Sequence, residues 1–272
     1  MKKINLFTAV ALVAIFTFSV SCEKIEDTIS LLQQISAEDD ASVNDDFDDI
    51  EDEVEDVLNT FESSLKSSTE GDTITGRQVV KSRNTDGTRT ITITFTNYAN
   101  KRRPDRIKNG VITTLAVGVW NTVGYKRTTT FTDLKINDTK IEGTKVIEKT
   151  AENTYTSILT NGKVTFSDSS TYTRESNRTT VKKEGIQTPK NIWDDVYEIS
   201  GTASGVNAKG YAYTHEITSP LVKRMDYTFI VKGVVKMVVD SKELTIDYGD
   251  GTKDRTATIS ANGQTKTITL KK

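Results

Sequence analysis

Cys22 is the only thiol in the 272-residue chain and His215 its only histidine, and these two counts close off most of the chemistry that side chains can supply. A cysteine nucleophile needs a thiolate and a base beside it, so thiol catalysis would draw on both residues at once. A Ser-His-Asp triad would have to use His215, which lies in the alternating run Tyr213-Thr214-His215-Glu216-Ile217, where a histidine is ordinarily exposed or paired. Gly201-Thr202-Ala203-Ser204-Gly205 has the wrong order for the G-x-S-x-G elbow on which such a serine is displayed. With one histidine and no H-E-x-x-H, zinc lacks a ligand set, and no P-loop or dinucleotide fingerprint implies a cofactor.

Three other groups could do chemistry. Asp247, Asp250 and Asp254 surround glycines in Asp247-Tyr248-Gly249-Asp250-Gly251-Thr252-Lys253-Asp254, which makes them calcium candidates, although the order departs from an EF-hand and no ligating Glu follows. Flanked by alternating runs, the segment reads more simply as a hairpin turn with Asx hydrogen bonds. Trp120 and Trp193 could stack on sugar rings, against the simpler role of sheet-face packing. Two carboxylates facing each other across roughly 5–9.5 Å would suit glycoside hydrolysis, but the β region shows no cluster of acids with tryptophans.

The elements that must carry these residues begin with an address. Lys2 and Lys3, the apolar run Leu6 to Phe18, and Ser19-Val20-Ser21-Cys22 have the order of a secretory signal, residues 1–21, with cysteine at the cleavage junction. The apolar run is shorter than the ~20 residues of a membrane span. A lone thiol there is a liability in an oxidising compartment unless it is acylated, so Cys22 is the expected lipidation site. That use also removes disulfides and thiolate metal sites.

Charge divides the remainder. Residues 23–72 hold 18 acids and 2 bases, and residues 73–272 hold 20 acids and 32 bases. The basic residues are dispersed along strand patterns, which argues against nucleic acid and reads most simply as a solvated, soluble sheet face. Anionic surfaces are the alternative partners: lipopolysaccharide, acidic glycans, or the protein's own acidic segment. After a linker over 22–40, Val43, Phe47, Ile50, Val54, Val57 and Phe61 recur in steps of four and three, which predicts an acidic amphipathic helix over 41–66. Its short seam, without basic e/g partners, favours docking on a sheet over a coiled coil.

From Thr73 the period changes to two. Thr90-Ile91-Thr92-Ile93-Thr94-Phe95-Thr96 puts apolar side chains on one face and threonines on the other, and Asp86-Gly87, Asn109-Gly110, Asn161-Gly162, Gly249-Asp250-Gly251 and Asn262-Gly263 are hairpin signals. The fold expected over 73–272 is mainly β: an antiparallel hairpin meander in one curved, extended sheet covered by the helix, with an open barrel or sandwich as the alternative. A subdomain break is expected near 184–191, around Pro189.

The lipobox, the run Glu23-Lys24-Ile25-Glu26-Asp27, the acidic helix, the Asn-Gly pairs and the closing Asp247-Tyr248-Gly249-Asp250-Gly251 resemble a family of β-rich outer-membrane lipoproteins of Bacteroidota. The resemblance implies a diacylglyceride on Cys22 and an outer-membrane location. The run after Cys22 is similar to the acidic signal for surface export, with Lys24 and Ile25 interrupting it, so the cell surface and the periplasmic face both stay open. The expected function is a monomeric, non-enzymatic envelope lipoprotein with a binding, adhesive or structural role and a glycan or envelope protein as partner. The alternatives are a glycan-binding accessory protein of a polysaccharide-uptake system, using Trp120 and Trp193, and a carboxylate-dependent hydrolase.

Overall fold

The computed structural model describes residues 29–62, 71–188 and 191–270. The signal, Cys22 and the acidic run after it, residues 63–66 of the expected helix, and Pro189 lie outside the described residues. Helix α1 spans Leu31–Glu62, so it begins ten residues before the start that the apolar stripe suggested, and the linker reading of 22–40 is corrected from Leu31 onward. The cause is a capping box: the Ser30 hydroxyl accepts the Gln33 N–H at 3.3 Å, and Gln33 Oε1 accepts the Ser30 N–H at 3.1 Å, satisfying donors that a helix start leaves open.

The strands are β1 (Gly71–Ile74), β2 (Arg77–Arg83), β3 (Arg89–Tyr98), β4 (Lys108–Val117), β5 (Lys126–Ile136), β6 (Thr139–Ala151) and β7 (Thr154–Thr165). They continue as β8 (Thr171–Glu184), β9 (Val196–Val206), β10 (Ala212–Arg224), β11 (Ile230–Val239), β12 (Lys242–Asp250), β13 (Thr256–Ala261) and β14 (Gln264–Thr269). Among the described residues they form one sheet in chain order, the meander that the hairpin signals indicate. It is not closed into a barrel.

Not every Asn-Gly pair is a turn. Asn109-Gly110 lies inside β4 and Asn161-Gly162 inside β7, where the register shifts between Asn109 and Val111 and between Leu159 and Gly162. A bulge asks for the same positive φ as a primed turn, so the dipeptide alone does not separate the two. The hairpin turn expected at Asn161-Gly162 is therefore absent, β7 runs on to Thr165, and the chain reverses at 166–170 instead. There Asp168 accepts the Ser170 N–H at 2.9 Å.

Bulges also decide the shape. One line of register shifts crosses β4 to β7 and another crosses β9 to β12, and bulged strands bend and twist more strongly than regular ones. At Gly110 (φ +108°) a Cβ would lie 2.4 Å from Asp133 O, and at Gly233 (φ +110°) 2.3 Å from Pro220 O, so only glycine fits either bend. Between the two lines, Glu184 pairs with Val196, so the strands on either side of the expected break at 184–191 are hydrogen-bonded neighbours in the same sheet.

The curved sheet encloses the helix. Val43, Phe47, Ile50, Val54 and Val57 are buried against Ile91, Ile93 and Phe95 of β3, Ile112 of β4 and Ile246 of β12, and the Phe47 and Phe131 rings lie 6.4 Å apart. Each such side chain contributes about 1.5–3 kcal/mol on burial. No residue from Leu32 to Asn59 is exposed, the acidic ones included. The helix is therefore covered on all sides, fully along its apolar stripe and partly elsewhere.

Candidate functional site

Residues 31–62 carry 13 acids and no base, and like charges at i,i+4 weaken an isolated helix. What sustains this one is a set of cations projecting from the inner face of the sheet. They occupy the same alternating positions as buried apolar residues: Arg127 shares a face with Thr129 and Phe131, and Arg174 with Tyr172.

Near the N-terminal end, Asp40 is fully buried and collects four donors. Arg174 reaches it at 2.7 Å, Tyr172 Oη at 3.0 Å, Asn44 Nδ2 at 3.0 Å and His215 Nδ1 at 2.9 Å. Burial opposes ionisation of Asp40, but His215 and Arg174 together hold its carboxyl far below the usual range. Burial pushes the His215 pKa down despite the carboxylate. An ionised Asp40 can only accept, so the proton shared between the two lies on His215 Nδ1. Nε2 is buried without a hydrogen-bond partner among the described residues.

One helix turn further on, the β3–β4 loop closes over three aspartates. Arg103 grips Asp45 with two bonds of 2.7 and 2.8 Å, and Arg106 donates to Asp49 at 2.8 Å and to Asp46 at 2.6 Å. Beneath them Lys108, with none of its side chain exposed, reaches Asp49 at 3.1 Å and Glu53 at 3.0 Å. Arg77 of β2 holds Glu53 and Asp56 at 3.2 and 3.0 Å. The same loop fastens the mouth of the sheet, because Arg102 donates to the carbonyls of Met225 and Tyr227, and Arg103 to that of Thr228.

On another side of the helix, Arg127 pairs with Glu51 and with Glu55 (2.9 Å), Lys145 with Glu51 (3.2 Å), and Lys223 with Asp52 (2.6 Å). Around these pairs lies a cavity of about 120 Å³, lined on the helix side by Asp48, Glu51, Asp52 and Glu55 and on the sheet side by Arg127, Lys145, Arg178 and Lys223 together with the apolar Ile147, Ile199 and Met225. Burial works against Glu51, yet Arg127 and Lys145 lower its pKa to about 2. For Asp52 and Glu55 burial prevails and the pKa rises.

Asp46 gives the clearest pH signature. Burial, opposed by Arg106 and reinforced by Asp45 and Asp49, raises its pKa to about 6. Between the unfolded value of 3.8 and that folded value the native state binds a proton that the unfolded state lacks, so this group's contribution favours folding as pH falls from 7 to 5. Glu51 acts in the opposite sense: its contribution is present above 4.5 and is lost as pH falls toward about 2. Asp52 and Glu55 act in the same sense as Asp46, so Asp46→Asn is expected to reduce the gain in urea midpoint between pH 7 and 5 while leaving the collapse below pH 4. An unchanged pH profile would refute the assignment.

Of the residues singled out by type and spacing, His215 joins the seam through Asp40 and Trp193 lines a pocket with Asp49, Asp52 and Glu53, whereas Trp120 and the three turn aspartates make their contacts elsewhere. Trp120 is half-buried, edge-on to Tyr125 at 5.1 Å and 89°. Trp193 is 43% exposed, but the Arg102 guanidinium lies over its ring at 4.3 Å. Asp247 accepts the Gly249 N–H, Asp250 both donors of Thr252, and Asp254 both donors of Thr256, the Asx geometry of a turn. Among the described residues no group of three or more His, Cys, Asp or Glu side chains could hold a metal ion. The basic residues that read as a solvated face include Arg77, Arg103, Arg106, Lys108, Arg127 and Arg174, all buried; their partner is the acidic helix. Comparison with protein-family models, with curated proteins and with solved structures gives no match.

Proposed function

We propose that the chain is a lipid-anchored, non-enzymatic binding protein of the cell envelope whose working surface is the outer face of the sheet. The observation that supports this reading is the occupancy of the inner face: the helix fills it, and its carboxylates engage the basic side chains there. The outer face stays available to a partner. Thr92, Thr113, Thr130, Thr144 and Thr160 stand in register across β3 to β7, a row roughly 19 Å wide at the usual ~4.8 Å strand spacing. The exposed Val80, Leu115, Val117 and Ile158 flank it. A wide surface of this kind binds through many small contacts and requires no preformed cleft.

The test is a glycan-array and envelope pull-down screen of the mature chain beside Thr113→Lys with Thr130→Lys. Loss of capture at an unchanged Tm supports the outer face. Capture that survives this pair but fails in Trp193→Ala would move the function to the glycan alternative. For the anchor, radiolabelled palmitate is expected in the wild-type protein and not in Cys22→Ala. Label retained by the variant would refute it.

A further inference from the structure

The N-terminal end of α1 is fixed to one rim of the sheet by a set of contacts independent of the ion pairs further along. Ile29 packs against the core, Gln33 Nε2 donates to Glu243 O at 3.0 Å, Asn207 Nδ2 donates to Ser36 Oγ at 2.8 Å, and Lys266 donates to Gln34. The chain is thus held to the folded body only seven residues after Cys22. Seven residues span at most roughly 25 Å when fully extended. The 32-residue helix is about 48 Å long, so its far end lies beyond the tether's reach from an upright molecule.

We infer that the rim surrounding the N-terminal end of α1 is the membrane-facing surface of the protein, seated against the phospholipid headgroups. This rests on the reading of Cys22 as the lipid attachment site. The rim consists of the loops β7–β8, β9–β10, β11–β12 and β13–β14. Asn207 shapes the β9–β10 loop by accepting the N–H groups of Lys209 and Tyr211 at 3.0 and 2.9 Å, which leaves Lys209 and a 41% exposed Tyr211 at its tip. Lys242 is exposed beside the β11–β12 turn. Lysine and tyrosine, each with an apolar body and a polar end, suit a headgroup layer.

Charge does not seat the rim unaided. Asp168 lies electrostatically close to Lys209, Asp240 precedes Lys242, and Glu243 pairs with Lys236 at 2.7 Å, so acids and bases on the rim nearly cancel. The tether sets the orientation and the side chains accommodate the surface. The β4–β5 loop, with Val119 and Val123 at 69% and 61% exposure, adjoins the part of the sheet that holds Glu51 and Glu55. It is carried away from the bilayer.

Because Cys22 is the sole thiol, the mature chain can be coupled through it to a maleimide-bearing phosphatidylethanolamine in phosphatidylcholine vesicles. Lysine acetylation mapped by mass spectrometry then compares coupled with free protein. Labelling of Lys209 and Lys242 is expected to fall severalfold on coupling while Lys101 and Lys126 keep theirs, and the uncoupled chain is expected to leave the vesicles on flotation. Equal labelling at all four lysines, or protection of Lys101 and Lys126 instead, would overturn the orientation. Envelope-purified protein supplies the separate check: an N-terminal peptide without a diacylglyceryl mass removes the anchor reading, and the membrane role with it, even where the coupled footprint holds.

Discussion

Asp49→Ala is expected to lower the stability of the protein by about 3–5 kcal/mol, the range for removing one partner of a buried ion pair. Asp49 is 1% exposed and meets three cations: Arg106 at 2.8 Å, Lys108 at 3.1 Å and Arg103 at 3.9 Å. Deleting it leaves the Lys108 ammonium wholly buried with Glu53 as its one remaining ion-pair partner. The cost lies in that stranded charge and not in the net value of the pair, because desolvation consumes most of what a buried pair gains. Urea denaturation of Asp49→Ala, Lys108→Met and the double variant separates the two. The double variant should recover part of the loss, giving a coupling energy of about 1–3 kcal/mol. Additive losses would mean that the two side chains do not act on each other, and a loss below about 1 kcal/mol for Asp49→Ala, as at a surface pair, would show that the aspartate is solvated.

How much of this could be read from the chain differs with the kind of information involved. Hairpin alternation and the apolar stripe of the helix are local patterns, and they identify the meander and the docking face directly. Asn109-Gly110 and Asn161-Gly162 mark places where the backbone needs positive φ, but whether a strand reverses or only bends there depends on the neighbouring strand's register, which is not local. The helix start is written in the capping-box spacing of Ser30 and Gln33, which lies ahead of the apolar stripe. The charged seam was legible only as an imbalance: an acidic segment beside a basic one. Inward positions such as Arg127 and Arg174 have the parity of core residues, and a basic residue at core parity opposite a helix of 13 acids is the signal that joins the two halves. Pairing Asp40 with Arg174 and His215, 134 and 175 residues away, depends on the curvature set by the bulges, and no spacing rule contains it.

The apolar stripe and the seam make separable contributions, and the stripe should dominate. Phe47→Asp with Ile50→Asp is expected to abolish cooperative unfolding. The two side chains are 6% and 2% exposed, and an ionised carboxylate placed in apolar surroundings costs several kcal/mol even after relaxation. Two of them, added to the lost burial of a Phe and an Ile at about 1.5–3 kcal/mol each, reach the whole 5–15 kcal/mol by which a typical domain is stable. At Phe47 the added acid would face the Phe131 ring. Near-ultraviolet circular dichroism and a urea titration would record the loss as a missing aromatic signal and a broad, featureless transition. If a sharp transition persists with its midpoint moved by less than that of Asp49→Ala, the ion pairs and not the stripe hold the helix. High salt distinguishes the same two cases independently, because buried pairs are screened far less than exposed ones: the wild-type midpoint should change little in molar salt if the helix is enclosed as its burial indicates, and should fall steeply if the seam is open to solvent.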